Sequence, residues 1–172
     1  IVVDTSSRHS GLFCGEFDKA WQASCSYVQK GYGLSIDYQA DVVIASCGGF
    51  PKDLNFYQST KTLFNASRAV KEGGTLIMLA ECPEGSGSKD FFDWIKPLSK
   101  GCLDALRASF TIGGYIFYAA CESIRRSKTL LLSSMEPELV RDMGVRSFKD
   151  MKDLLAEVDF NGKDVYVIPY GG

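Results

Sequence analysis

The chain has 172 residues, 45% of them apolar and 23% charged, with a formal net charge of -2 and a sequence pI near 5.4. Such a balance fits one globular domain with an ordinary core. It argues against nucleic acid or an anionic membrane as partner, because basic residues are outnumbered and cluster only at Arg125 and Arg126. No apolar run reaches the roughly 18 residues that span a bilayer, and the first residues lack a secretion pattern, so the chain reads as cytoplasmic.

In chain order, residues 1–4 are short and apolar, and 11–15 follow a polar TSSRHS turn as a second short strand or hairpin. Residues 17–29 carry Phe17, Ala20, Trp21, Cys25 and Val28 at one-face spacing, which predicts a helix closed by Gly31. Residues 34–38 alternate as a half-exposed strand would. DVVIAS at 41–46 is a continuous apolar run of the buried parallel-strand type. A helix over 54–72 stopped by Gly73-Gly74 is expected next, then a second buried strand at 75–80 and the loop ECPEGSGS at 81–88. Short helices at 89–98 and 102–110, separated by Pro97 and Gly101, precede a longer helix at 111–127 whose start, TIGGY, is rich in glycine. KTLLLS at 128–133 is a third buried strand. Helical stretches at 137–143 and 149–157 flank a short segment at 145–148, and VYVIP at 165–169 is the last strand. Apolar strands alternating with helices predict a three-layer, Rossmann-like α/β domain: a mostly parallel sheet with helices on both faces, in a single domain over 1–172. The first residue already lies in a strand pattern and IPYGG stops directly after a strand, so the sequence reads as an excised domain, although a natural small protein could begin and end this way.

The six cysteines, Cys14, Cys25, Cys47, Cys82, Cys102 and Cys121, show no C-x-x-C pair and no Cys/His ligand spacing. Free thiols are expected, with neither a zinc site nor a disulfide framework. The single histidine, His9, lies far from every loop that could hold a ligand, so no Ser-His-Asp or Cys-His arrangement can be assembled.

In open α/β sheets ligands bind beyond the carboxyl ends of the strands, where loops lead into helix N-termini. Three loops have that position: CGGFPKDLN after Ser46, CPEGSGS after Glu81, and SSMEPE after Leu132. None matches a dinucleotide or phosphate fingerprint, so a nucleotide cofactor within this chain is not expected. On the helix after the first loop, Phe56, Leu63, Phe64 and Val70 gather on one side and Gln58, Lys61 and Asn65 on the other. Gln58 and Lys61 stand three apart and are neighbours on that face, an ammonium beside an amide that suits a small carboxylate. A solvated polar face is the plainer account of the same pattern.

Residues 41–87, DVVIASCGGFPKDLNFYQSTKTLFNASRAVKEGGTLIMLAECPEGSG, resemble the C-terminal domain of the nickel-dependent lactate racemase family. The resemblance rests on S-x-G-G-x-P-x-D-x-N-x-Y-Q-x-x-K, a following V-K-x-G-G and an A-E-C-x-E-G-x-G loop. It implies a two-domain parent in which a larger N-terminal catalytic domain, absent from this chain, binds the nickel pincer nucleotide. The C-terminal domain would close over a 2-hydroxy acid during racemisation or epimerisation. Carried onto this sequence, Gln58 and Lys61 would be catalytic, with Lys61 neutralising the substrate carboxylate. Gly48, Gly49, Asp53, Asn55, Tyr57, Gly85 and Gly87 would line the substrate side. The family also places an aromatic residue near the site, here Tyr115 or Tyr118, between which the sequence does not choose. The alternative is a non-catalytic α/β module that binds a small acidic ligand or a partner protein through the same surface.

Overall fold

The structure, a computed structural model, describes residues 1–4, 6, 8–99 and 103–172. The chain divides into two compact units, Ile1–Asp37 and Tyr38–Gly172. The α/β sheet lies wholly in the second. In the first, β1 (Val2–Val3) pairs antiparallel with β2 (His9–Gly11). A helix, α1 (Phe17–Tyr32), begins at Glu16, whose carboxylate accepts from the Asp18 and Lys19 amides, and it buries none of its residues. Tyr27 on α1 donates to the Ser10 carbonyl and packs against Phe13. The helix runs through Gly31 and is closed by Gly33.

In the second unit, β3 (Ala40–Ser46), β4 (Val70–Leu79), β5 (Lys128–Leu132), β6 (Arg146–Phe148) and β7 (Val165–Ile168) form one sheet in the order β6-β5-β4-β3-β7. Every pairing is parallel. The larger core lies on one face, where α2 (Phe56–Ala66) and α5 (Ile112–Arg125) pack against each other and set Phe56, Leu63, Phe117 and Ile124 on Val43, Ala45, Leu76 and Met78. On the opposite face Leu154 of the short helix Met151–Leu155 covers Val42, Ile77 and Leu130. Helices on both faces of a parallel sheet make the expected three layers.

Two predicted boundaries move. The helix expected to reach residue 72 ends at Ala66, because Ala40 N–H takes the Ala69 carbonyl and Val70 pairs with Ala40 at the start of β4. Register then jumps from Ala40↔Val70 to Val42↔Thr75, so 71–74 bulge out, with Gly73 at φ 74° donating to the Arg126 carbonyl. Glu72-Gly73-Gly74, which reads as a helix stop, is a bulge in a strand. The strand expected at 34–38 does not form; Leu34 is 85% exposed and pairs with no strand among the described residues. Pro97 lies inside the short α3 (Ile95–Ser99), which continues the 3-10 turn Phe92–Trp94. Helix α4 (Leu103–Ala108) follows. The expectations at Gly101 and Cys102 fall outside the described residues.

The glycine-rich start of α5 has a packing cause. A Cβ on Gly113 would lie 2.6 Å from the Asp90 carboxylate, and one on Gly114 would lie 2.5 Å from the Trp94 indole. Thr111 caps α5 by accepting from Gly114 N–H and from Trp94 Nε1. The Ser88 hydroxyl donates to Asp90, which holds that carboxyl below its ordinary value.

Candidate functional site

Strands β3 to β6 are laid down in one direction and β7 returns to the far side of β3, so the direction of winding reverses between β3 and β7. The crevice at such a switch point is the usual ligand position, but here the chain fills it. Gly171 N–H donates to the Ser46 carbonyl at 2.8 Å, and Asn65 Nδ2 donates to the Gly171 carbonyl. The Tyr170 ring lies against Gly48, whose N–H donates to Ser46 Oγ. An open cleft of about 480 Å³ remains beyond the ends of β3, β4 and β5, with Gly49, Asp53, Glu81, Ser133 and Lys149 in its wall.

The three loops beyond the strands are stitched together. Cys82 N–H donates to the Asp53 carbonyl, Glu84 N–H to the Leu54 carbonyl, and Glu81 N–H to the Asp53 carboxylate. Further along, Phe56 N–H donates to the Gly85 carbonyl at 2.8 Å and Tyr57 N–H to the Ser86 carbonyl at 3.1 Å. From the third loop the Ser133 and Ser134 hydroxyls both donate to the Glu81 carbonyl at 2.8 Å. The turn into this ladder sets Cys82 at φ 52°, a left-handed conformation outside glycine, with Gly85 at 63° and Gly87 at 84°.

Asn55 caps α2: its Oδ1 accepts Gln58 N–H at 3.0 Å, and its Nδ2 reaches Glu84 Oε2 at 3.4 Å. The amides of Phe56, Tyr57 and Gln58 are therefore all bonded within the chain. The α2 N-terminus offers a ligand no open nest of N–H groups, contrary to the expectation from loop position. Any anion at this end of α2 would have to be taken by side chains. Lys61 Nζ donates to Gln58 Oε1 at 2.8 Å on the exposed side of the first two turns, so the pair is preformed. Each group keeps further donors, two ammonium protons on Lys61 and the amide NH₂ of Gln58.

The remaining predicted residues divide by environment. Tyr57 is half-buried with its ring edge-on to Phe91, a packing role. Asp53 is held by the second loop and borders the cleft. Gly49 borders it too, and its carbonyl accepts Lys52 N–H. Asn65, predicted on the same polar face as Lys61, is committed to the 171 carbonyl. Of the two tyrosines, Tyr115 is 52% exposed beside Phe110, whereas Tyr118 packs on the core. Sequence reading gave no sign of the Gly171 segment, whose partner Asn65 lies 106 residues away, nor that Glu84 of the second loop meets Asn55, 29 residues away.

Burial raises the thiol pKa values of Cys47 and Cys82 and pushes Cys121 up to about 11, so these thiols stay protonated and unreactive near neutrality. Among the described residues no three His, Cys, Asp or Glu side chains gather into a metal site. Among them, too, no helix is long and apolar enough to cross a membrane.

Comparison with known proteins places this geometry. Residues 36–171 match the lactate racemase C-terminal domain family, a match that begins two residues before the second compact unit. A lactate racemase from Thermoanaerobacterium thermosaccharolyticum is 30% identical over 182 residues, which cover 99% of this chain and 42% of that protein. One from Lactiplantibacillus plantarum is 34% identical over 93 residues, 54% of this chain and 22% of that protein. The structure of the T. thermosaccharolyticum lactate racemase apoprotein superposes with a TM-score of 0.81 at 28% identity, over 99% of this chain and 43% of that one. A Thermotoga maritima protein shares the fold at a TM-score of 0.56 and 13% identity, over 89% of this chain and 40% of that one. The chain thus spans less than half the length of the relatives it matches. It belongs to the lactate racemase C-terminal domain family.

Proposed function

We propose that this chain is the substrate-side part of a 2-hydroxy acid racemase or epimerase, working in the cytoplasm against a larger N-terminal catalytic domain of the same polypeptide. The observation that carries the reading is the preformed Gln58–Lys61 pair at the start of α2, where the Phe56, Tyr57 and Gln58 amides are already used within the chain. An exposed ammonium, held at 2.8 Å by an amide that retains its own NH₂, can take a carboxylate by charge and the adjacent hydroxyl by hydrogen bond. The pair then orients the carbinol carbon toward whatever reacts with it. Asp53 and Gly49 would border the substrate through the cleft, and of Tyr115 and Tyr118 it is Tyr115 that is exposed.

The nickel pincer nucleotide that the family resemblance implies does not fit the residues present, since no metal-ligating cluster exists among those described and His9 belongs to the other compact unit. Holding that group would fall to the rest of the polypeptide, and the role argued for this chain is binding and orientation only.

The test is kinetic. In the complete natural polypeptide, Lys61→Ala should lower kcat/KM for a 2-hydroxy acid such as lactate by at least about tenfold, or about 1.4 kcal/mol. Gln58→Ala should raise KM by a smaller factor. Unchanged kinetics in Lys61→Ala would return the pair to an ordinary solvated face.

A further inference from the structure

We propose that Asn55 and Gly87 are positioning residues, a size-matched contact that sets the first turn of α2 and hence the direction of Gln58 and Lys61, rather than groups that touch substrate. The inference rests on the functional reading above for its kinetic consequence but not for its structural one.

Asn55 is buried to 7% exposure and has both ends of its amide engaged, Oδ1 by Gln58 N–H at 3.0 Å and Nδ2 by Glu84 Oε2 at 3.4 Å. An amide so placed has little left to offer a ligand. Gly87 closes the other side. A Cβ there would lie 2.2, 2.3 and 2.6 Å from the Asn55 Cγ, Oδ1 and Nδ2 atoms. No real side chain tolerates such distances, so a residue larger than glycine at 87 must push the Asn55 amide away. The atom displaced is the one that accepts the Gln58 amide, and Lys61 in turn bonds Gln58. Gly85 and Ser86, just before Gly87, accept from Phe56 and Tyr57, so the same push also strains the two bonds that pin the turn. Displacement at one glycine therefore reaches the exposed pair through a continuous chain of contacts, and about an ångström of misplacement there can cost on the order of a hundredfold in rate.

The φ of 84° at Gly87 would by itself penalise alanine, and a second glycine separates this penalty from the contact. Gly162 has φ 66°, and a Cβ at that position would meet nothing within 4 Å. Gly162→Ala therefore carries similar backbone strain without a clash. In Gly87→Ala, Asn55→Ser, the smaller serine keeps an oxygen to cap Gln58 N–H and makes room for the methyl group.

The experiment uses the complete natural polypeptide and has two readouts. In kinetics with lactate, Gly87→Ala should lose at least about tenfold in kcat/KM, Gly162→Ala should match wild type, and the double variant should return to within about threefold of wild type. In hydrogen exchange, the Phe56, Tyr57 and Gln58 amides should exchange faster in Gly87→Ala and regain protection in the double variant. Protection unchanged in Gly87→Ala, or a double variant no better than the single, overturns the positioning role. If exchange behaves as expected while Lys61→Ala keeps full activity, the contact stands and the racemase reading of the pair fails.

Discussion

Gly114→Ala sets two effects of opposite sign against each other. In the first turn of α5, alanine in place of glycine should gain up to about 1 kcal/mol from backbone entropy alone. Against this, the new Cβ would sit 2.5 Å from Trp94 Cε2, 2.6 Å from its Nε1 and 2.8 Å from Leu106 Cδ1. The indole cannot simply rotate away, because Nε1 donates to Thr111 Oγ1 at 3.1 Å and the same oxygen caps Gly114 N–H at 3.0 Å. Overpacking costs about 1–3 kcal/mol, and disturbing the cap adds about 1 kcal/mol. The net expectation is a loss of about 1–3 kcal/mol. Urea unfolding followed by Trp94 fluorescence, in a Trp21→Phe background so that only the second unit reports, should show the midpoint falling by about 0.5–1.5 M at a slope of about 2 kcal/mol/M. An unchanged or higher midpoint would mean that propensity outweighs the contact and that the account of the TIGGY start is wrong.

Two further outcomes follow from ionisation and burial. Lys71 donates to Asp41 at 2.8 Å, which holds the Asp41 carboxyl below its ordinary value of 3.8 and raises Lys71 above its ordinary 10.5. The depressed carboxylate contributes stability above its unfolded pKa that is lost as pH falls through the lower folded value, and the raised lysine contributes below about 10.5 and loses it as pH rises further. Asp41→Asn should therefore flatten the acid limb of a Tm-against-pH profile below about pH 4, and an acid limb identical to wild type would exclude the pair as its source. For the thiols, iodoacetamide at pH 8 followed by peptide mass spectrometry should modify the exposed Cys14 and Cys25 promptly and Cys47, Cys82 and Cys121 only on unfolding. Cys121 is half-buried, and its rapid native labelling would contradict the raised thiol pKa.

The sheet was readable because a buried parallel strand leaves a strong mark: DVVIAS, TLIMLA and KTLLLS each became a strand at nearly the expected residues. Residues 70–74 were not, since a bulge is defined by what pairs across it and Glu-Gly-Gly is locally indistinguishable from a helix stop. Likewise Leu34, Ile36 and Tyr38 alternate as a strand should, but alternation makes a strand only when another strand accepts its hydrogen bonds, and none does. At the site, helical spacing placed Gln58 and Lys61 side by side, and the structure joins them at 2.8 Å. The same spacing put Asn65 on that face and gave no sign that it serves the Gly171 carbonyl.

The resemblance over 41–87 mixes residues whose partners lie inside the chain with two whose side chains bond only each other, and the structure separates the two groups. Asp53 and Leu54 give their carbonyls to the second loop, Asn55 caps α2, Tyr57 packs on Phe91, and Gly85 accepts from Phe56. Gly87 leaves the space that Asn55 occupies. Each of these has its partner inside the chain, so each would be needed whether or not anything binds. Gln58 and Lys61 differ: their side-chain groups bond each other across an exposed face and contribute nothing to joining the loops. An exposed pair of this kind is worth little to stability, at most about 1 kcal/mol, which is too small a contribution to account for a loop ladder built around it. The ladder makes physical sense as a mount for those two side chains, and that is why the functional reading is placed on them and not on the glycines that first mark the loop.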